Sequence, residues 1–363
     1  MQWILSKDIF SYRPWVLLVS LGLLIVKEKY VVILPRELKL LKSLFCSSDF
    51  CYSNNTLFFT ISRDTSIYFS SSFASIFFSV ENAMYPEGLG FINYICIVLI
   101  FMVGLPHGAI DGALAQSFKL NTRKKYVEFL LGYQLCALAV ILFWYLFPGL
   151  ALTIFLLFPV FHFGSCDWLN YGQPKNKFLV VFTHGMLVIF GVVFFNEKES
   201  YALFSLLSNR DLSSIPYLFW PGYIATTVAF VVYVLKSIKE PYLRVGVAEL
   251  SIILLSAYFF SVLVAFTIYF CFIHSLKHTK HVLRLLDLEN VKYRKAFFSA
   301  VVFTLLAWLF AYIAFKRLHF DLSIEDSLLK VIFIGLASLT LPHMILVEYC
   351  HRKLLVSNKA VEF

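Results

Sequence analysis

Apolar residues in this chain come in long blocks, not in alternation. From residue 90 onward, blocks of about twenty recur at 90–118, 126–147, 150–169, 177–196, 217–236, 243–286, 294–316 and 327–351, with short polar loops between them. A helix rising 1.5 Å per residue needs about twenty residues to cross a hydrocarbon layer of ~30 Å. Inside that layer no water satisfies a backbone N–H or C=O, so the blocks predict helices and exclude open sheets. The 243–286 block does not fit one crossing, because a single helix of that length would be about 60 Å long. Two crossings joined by a tight turn near residues 256–261 fit instead.

Charge tests that division. With 243–286 counted as two spans, 18 of the Lys and Arg after residue 90 fall on one side and 5 on the other. The positive-inside rule makes the richer side cytoplasmic, which places the C-terminus there in a multi-pass protein of the cell (inner) membrane. Composition agrees, since 60% hydrophobic and 15% charged residues lie far from soluble usage. The expected fold is all-α: a polytopic integral membrane protein whose bundle of about eight to nine core transmembrane helices occupies 90–352, with a tail at 353–363. The net charge of +9 is spread between the apolar blocks. It reads as anchoring to the lipid bilayer, and no nucleic-acid partner is expected.

Residues 1–89 follow a different pattern. The run at 15–26 is too short to span without 31–34, and Lys27, Glu28 and Lys29 interrupt the longer version. No small-residue cleavage pattern follows, so a signal peptide is not indicated. This N-terminal extension reads as one further membrane helix plus a Ser- and Phe-rich interfacial segment. The seven cysteines contain no CxxC pair, so neither a disulfide framework nor a thiolate metal site is supported.

Ionisable groups inside apolar spans are costly and mark sites by default. In Tyr269-Phe-Cys-Phe-Ile-His274-Ser-Leu-Lys-His278-Thr-Lys-His281 the spacing stacks three imidazoles on one helical stripe. Gly104-Leu-Pro106-His107-Gly108-Ala-Ile-Asp111-Gly112 puts a proline in a span, which frees the carbonyl of Met102 and bends the axis just before the histidine. Gly104, Gly108 and Gly112 offer a small face for close helix approach. Asp111 is placed to orient a neighbouring imidazole through its second nitrogen. Phe161-His162-Phe163-Gly164-Ser-Cys-Asp167 repeats the histidine, glycine, aspartate order, and His184 and His343 stand singly in two further spans. With nine spans, His107, His162, His274 and His343 lie at similar depth. His107, His162, His274 and His278 then form a four-imidazole constellation suited to Fe, Cu, Zn or Ni. Asp111, Asp167, His184, His281 and His343 are left to second-layer or substrate-side positions.

These stretches, with Thr183-His184-Gly185 and Gly335-Leu-Ala-Ser-Leu-Thr-Leu-Pro-His343-Met-Ile-Leu346, resemble the Brp/Blh family of membrane-integral β-carotene 15,15′-dioxygenases in order and interval over about residues 90–350. The resemblance implies Fe(2+) at His107, His162, His274 and His278, with β-carotene and O2 as substrates and two retinal molecules as products. It also implies a functional link to a retinal-binding rhodopsin. Residues 1–89 are longer than the leader such proteins carry. Two rival readings are a di-iron desaturase or hydroxylase and a histidine-rich transporter or retinal receptor. The first needs several HxxxH and HxxHH clusters where this chain has one HxxxH, and a retinal receptor needs a lysine deep in the last span, where 331–349 has none.

Overall fold

A computed structural model describes residues 90–117, 122–168, 176–212, 218–288 and 293–361. The N-terminal extension therefore lies outside the described residues. Every described element is helical: α1 (Phe91–Leu99, continuing as a π-helix over Ile100–Gly104), α2 (Pro106–Ala109), α3 (Asp111–Ser117), α4 (Arg123–Leu146), α5 (Pro148–Trp168), α6 (Lys177–Met186, continuing as π over Leu187–Gly191) and α7 (Val192–Phe195). There follow α8 (Glu197–Ser208), α9 (Trp220–Lys239), α10 (Leu243–Phe259), α11 (Val262–Thr267, then π over Ile268–His274), α12 (Ser275–Leu288), α13 (Tyr293–Leu318) and α14 (Ile324–Val361).

Seven helices among the described residues are long and apolar enough to cross a membrane. The other two expected segments are shorter: Phe91–Gly104 is broken at Leu105, and α10 has 17 residues. The protein is an all-α polytopic membrane protein. Its most enclosed span is Lys177–Phe195, 72% buried over its apolar window, whereas Phe297–Leu318 of α13 is 6% buried and faces outward almost throughout.

The long 243–286 block is divided where its length requires, at Phe260 and Ser261, although neither Gly nor Pro marks the turn. Side chains from the start of α8 supply what the sequence lacks. The Asn196 side-chain amide donates to the Ala257 carbonyl at 2.8 Å, satisfying an acceptor at the end of α10, and the Glu199 carboxylate accepts the Val262 amide at 3.0 Å, capping α11. α8 itself is a short helix that the apolar blocks do not announce. The Trp144 indole at the end of α4 donates to the Leu207 carbonyl at 3.0 Å.

Apolar contact between helices gains little in lipid, so close backbone approach must do much of the holding. The α5 and α6 crossing shows how. A Cβ added at Gly164 would land on the Val181 carbonyl, and one added at Gly185 would land on the Val160 carbonyl. The His-Phe-Gly and Thr-His-Gly stretches are thus two halves of one backbone contact. Elsewhere in the bundle Ala113, Leu114 and Ala115 of α3 pack on Val282 and Leu286 of α12 and on Leu346 and Cys350 of α14. That small-residue core brings three histidine-bearing segments side by side.

Candidate metal centre

Pro106 acts one register away from expectation. The helix widens over Ile100–Gly104, with the Leu105 amide donating to the Ile100 carbonyl at 2.8 Å, so the acceptor that the proline leaves empty is Phe101, not Met102. The Trp308 indole fills it at 3.0 Å. A second widening, over Ile268–His274, ends on a candidate ligand, and the Ser275 hydroxyl takes the Phe270 carbonyl at 2.6 Å. The glycine face serves three neighbours: Gly104 abuts Phe270, Gly112 abuts Ser299 and Phe303 of α13, and Gly108 faces the His343 ring.

Four imidazoles meet behind these distortions. Ring centres of His162 and His274 are 5.1 Å apart, His162 and His343 5.3 Å, and His278 and His343 4.7 Å, while His274 and His278 are 6.1 Å apart and His162 and His278 6.4 Å. All four residues are buried. α5, the Ile268–His274 segment with α12, and α14 each contribute, and Pro159 and Pro342 sit three and one residues before His162 and His343. Phe163 packs edge-on against His274 with ring centres 4.7 Å apart.

His107 sits on the backbone of α2, and its side chain and that of Asp167 are outside the described residues. Asp111 orients an imidazole as its chemistry suggests, and the imidazole is that of His343. Both carboxylate oxygens lie 2.9 Å from His343 Nδ1, and the Tyr133 hydroxyl donates to Asp111 Oδ2 at 3.0 Å. A carboxylate accepting these bonds fixes the proton on Nδ1 and leaves the Nε2 lone pair to the other side of the ring. His184 is placed elsewhere: it is fully buried between α6, α9 and α10, with Nε2 3.2 Å from the Tyr233 hydroxyl, and Gly246 leaves room for the pair. His281 is half-buried further along α12, off the cavity wall. Cys166, set aside by the expectation that no thiolate metal site is supported, joins the group: its sulfur and one nitrogen each of His162 and His274 lie within 4.8 Å of one another. Its signal was the one-turn spacing from His162.

His162, His274 and His343 form the end wall of a cavity of about 950 Å³. Apolar side chains line it through Trp144, Leu207 and Phe310 to Lys330 and Asn209. Lys330 lies thirteen residues before His343 on α14, about 20 Å along the axis. Buried imidazoles in such a wall suit a divalent cation with positions left open, and the carboxylate behind His343 supplies the outer support that such sites use.

The fold and this wall define a multi-pass membrane protein with an intramembrane histidine centre at the end of a long apolar cavity. A family model, "Beta-carotene 15,15′-dioxygenase", matches residues 98–351. The β-carotene 15,15′-dioxygenase of Uncultured marine bacterium 66A03 is 30% identical over 268 residues, which cover 73% of this chain and 96% of that protein. The chain belongs to the β-carotene 15,15′-dioxygenase family and is an oxygenase. No solved structure matches it.

Proposed function

We propose that the protein cleaves β-carotene at its central 15,15′ double bond with O2, giving two molecules of retinal. The observation that carries this reading is the convergence of His162 of α5 with His274 and His278 of one continuous span, beside an apolar cavity long enough for a polyene whose wall includes His162 and His274. Family membership supports the substrate and the oxidant. His107, His162, His274 and His278 would hold Fe(2+), a metal that all-imidazole sites with open positions accept. When bound there, a ferrous ion would supply the electrons that let O2 react with a closed-shell polyene. The chain's own residues do the rest. The cavity excludes water and keeps the polyene straight, Phe163 and Tyr269 wall the reacting end, and the outward-facing α13 leaves the bundle open to lipid-borne substrate. Breaking the central C=C bond and giving each carbon one oxygen atom balances without a reductant.

Expression in a β-carotene-accumulating bacterium, followed by pigment extraction, tests the reading. Retinal should accumulate as β-carotene disappears, and His107→Ala should abolish retinal while membrane insertion persists. Iron-loaded, inserted protein that leaves β-carotene intact would end the proposal.

A further inference from the structure

Resting on the metal-centre reading above, we infer that His343 is a metal-holding imidazole of this site and that Asp111 and Tyr133 are its positioning residues. Sequence order separates His343 from the other candidates by more than sixty positions. Tertiary structure removes that separation. Its ring lies nearer to His278 than His274 does, at 4.7 Å against 6.1 Å.

Taken pair by pair, those separations are within reach of a shared ion, while the donor atoms that already lie within 4.8 Å of one another are those of His162, Cys166 and His274. With a metal–nitrogen bond of ~2.1 Å, each imidazole centre stands about 3.2 Å from the metal, so two ligands at right angles have centres about 4.5 Å apart and two opposite ligands about 6.4 Å. The observed values run from 4.7 Å for His278 with His343 to 6.4 Å for His162 with His278. His343 falls within that range against both of the rings it touches.

The support behind the ring points the same way. Asp111 is 1% exposed, and the hydrogen bonds found for its carboxylate come from the Tyr133 hydroxyl and His343 Nδ1. A carboxylate held by donors from two other helices, α4 and α14, fixes the angle of the ring it bonds. Carboxylate, imidazole and metal in line is the arrangement that fixes tautomer and ring angle at metal sites. Gly108 packs beside this ring, since a Cβ added there would stand 3.8 Å from His343 Nδ1, an ordinary contact.

Cobalt(II) added to the metal-depleted full chain in detergent reads ligation without turnover, through affinity and through the visible ligand-field bands. Wild type should bind cobalt, and His343→Ala should bind it at least tenfold more weakly with altered bands. Imidazole added to His343→Gly should restore both. Asp111→Asn should weaken binding about 10–100-fold, the usual effect of losing an outer partner, and Tyr133→Phe should weaken it less. His343→Ala with wild-type affinity and bands overturns the assignment, whatever happens to its turnover. Should that variant fail to insert, unchanged cobalt affinity in both Asp111→Asn and Tyr133→Phe overturns it equally. A wild-type chain that takes up no cobalt overturns the metal-centre reading as well, a distinct result.

Discussion

Gly335 offers a direct test of where the polyene lies. It stands eight residues before His343 on α14, about 12 Å along the axis, and lines the cavity, and an added Cβ there meets no atom within 4 Å. The Cβ of Gly335→Phe therefore overpacks nothing, and helix propensity even favours the change by roughly 0.5 kcal/mol. Its ring, a benzene-sized group of on the order of 150 Å³, would occupy about one sixth of the 950 Å³ cavity. A conjugated chain cannot fold around the obstacle. Because β-carotene arrives from lipid and not from water, the loss is one of packing contacts. About twenty carbon contacts at 0.1–0.2 kcal/mol each come to roughly 2–4 kcal/mol, on the order of 100-fold in kcat/KM. Steady-state cleavage by purified protein measures this, with bound iron and thermal unfolding as controls and Gly335→Ala as the mild variant. Iron content and melting should match wild type. If Gly335→Phe cleaves β-carotene at the wild-type kcat/KM, the polyene does not run along this wall.

Three further outcomes follow from the same geometry. Alanine at Gly164 or Gly185 should cost 3 kcal/mol or more, at the upper end of overpacking, because the obstructing atom is a carbonyl that no rotamer change can move; Gly132→Ala, with open space around it, should be neutral or stabilising by up to ~1 kcal/mol in denaturant titrations. Burial holds the Glu197 carboxyl above its usual range, against a pull downward from the Tyr223 hydroxyl. The folded chain binds that proton more tightly than the unfolded one, so its contribution to stability falls as pH rises through the raised value; Glu197→Gln should melt higher than the parent at neutral pH and equally below about pH 4. Chelator treatment should abolish retinal formation, and Fe(2+), but not Zn(2+), should restore it; recovery with zinc would exclude redox chemistry at the site.

The spans were legible because their cause is local. A block of about twenty apolar residues has one solution in lipid, and all nine expected segments occur as helices. His162, His274 and His278 were legible for a related reason: an ionisable group in such a block must meet something. What could not be read was anything fixed by a partner distant in sequence. The turn at Phe260 and Ser261 was expected from the block's length, but the side chains that hold it, Asn196 and Glu199 about sixty residues earlier, were not. The π-widened turns before His107 and at His274 have no composition signature, and they decide which carbonyl the proline strands and which face His274 presents. Asp111 was recognised as an orienting carboxylate, but helical spacing suggests only nearby rings. Its partner is 232 residues away.

That distance also bears on how variants at this centre must be read. In a soluble bundle the apolar core would hold α3, α5, α12 and α14 together whatever happened to a few polar groups. Between helices already in lipid the hydrophobic term is nearly absent, and close glycine crossings and buried hydrogen bonds carry much of the association. The Tyr133, Asp111 and His343 chain joins α4, α3 and α14, so it is both an adhesive and a support for the site. Interhelical bonds of this kind are worth about 0.6–1.7 kcal/mol each, so cutting one by Tyr133→Phe should leave the bundle assembled. Replacing Asp111 disturbs two such bonds and the support of the ring behind which it sits. Loss of retinal in an Asp111 variant would therefore conflate a loosened bundle with a lost ligand. Measuring the melting temperature and metal affinity of the same preparation separates them: a positioning role predicts a larger loss in affinity than in stability, and the reverse order would make Asp111 a packing residue.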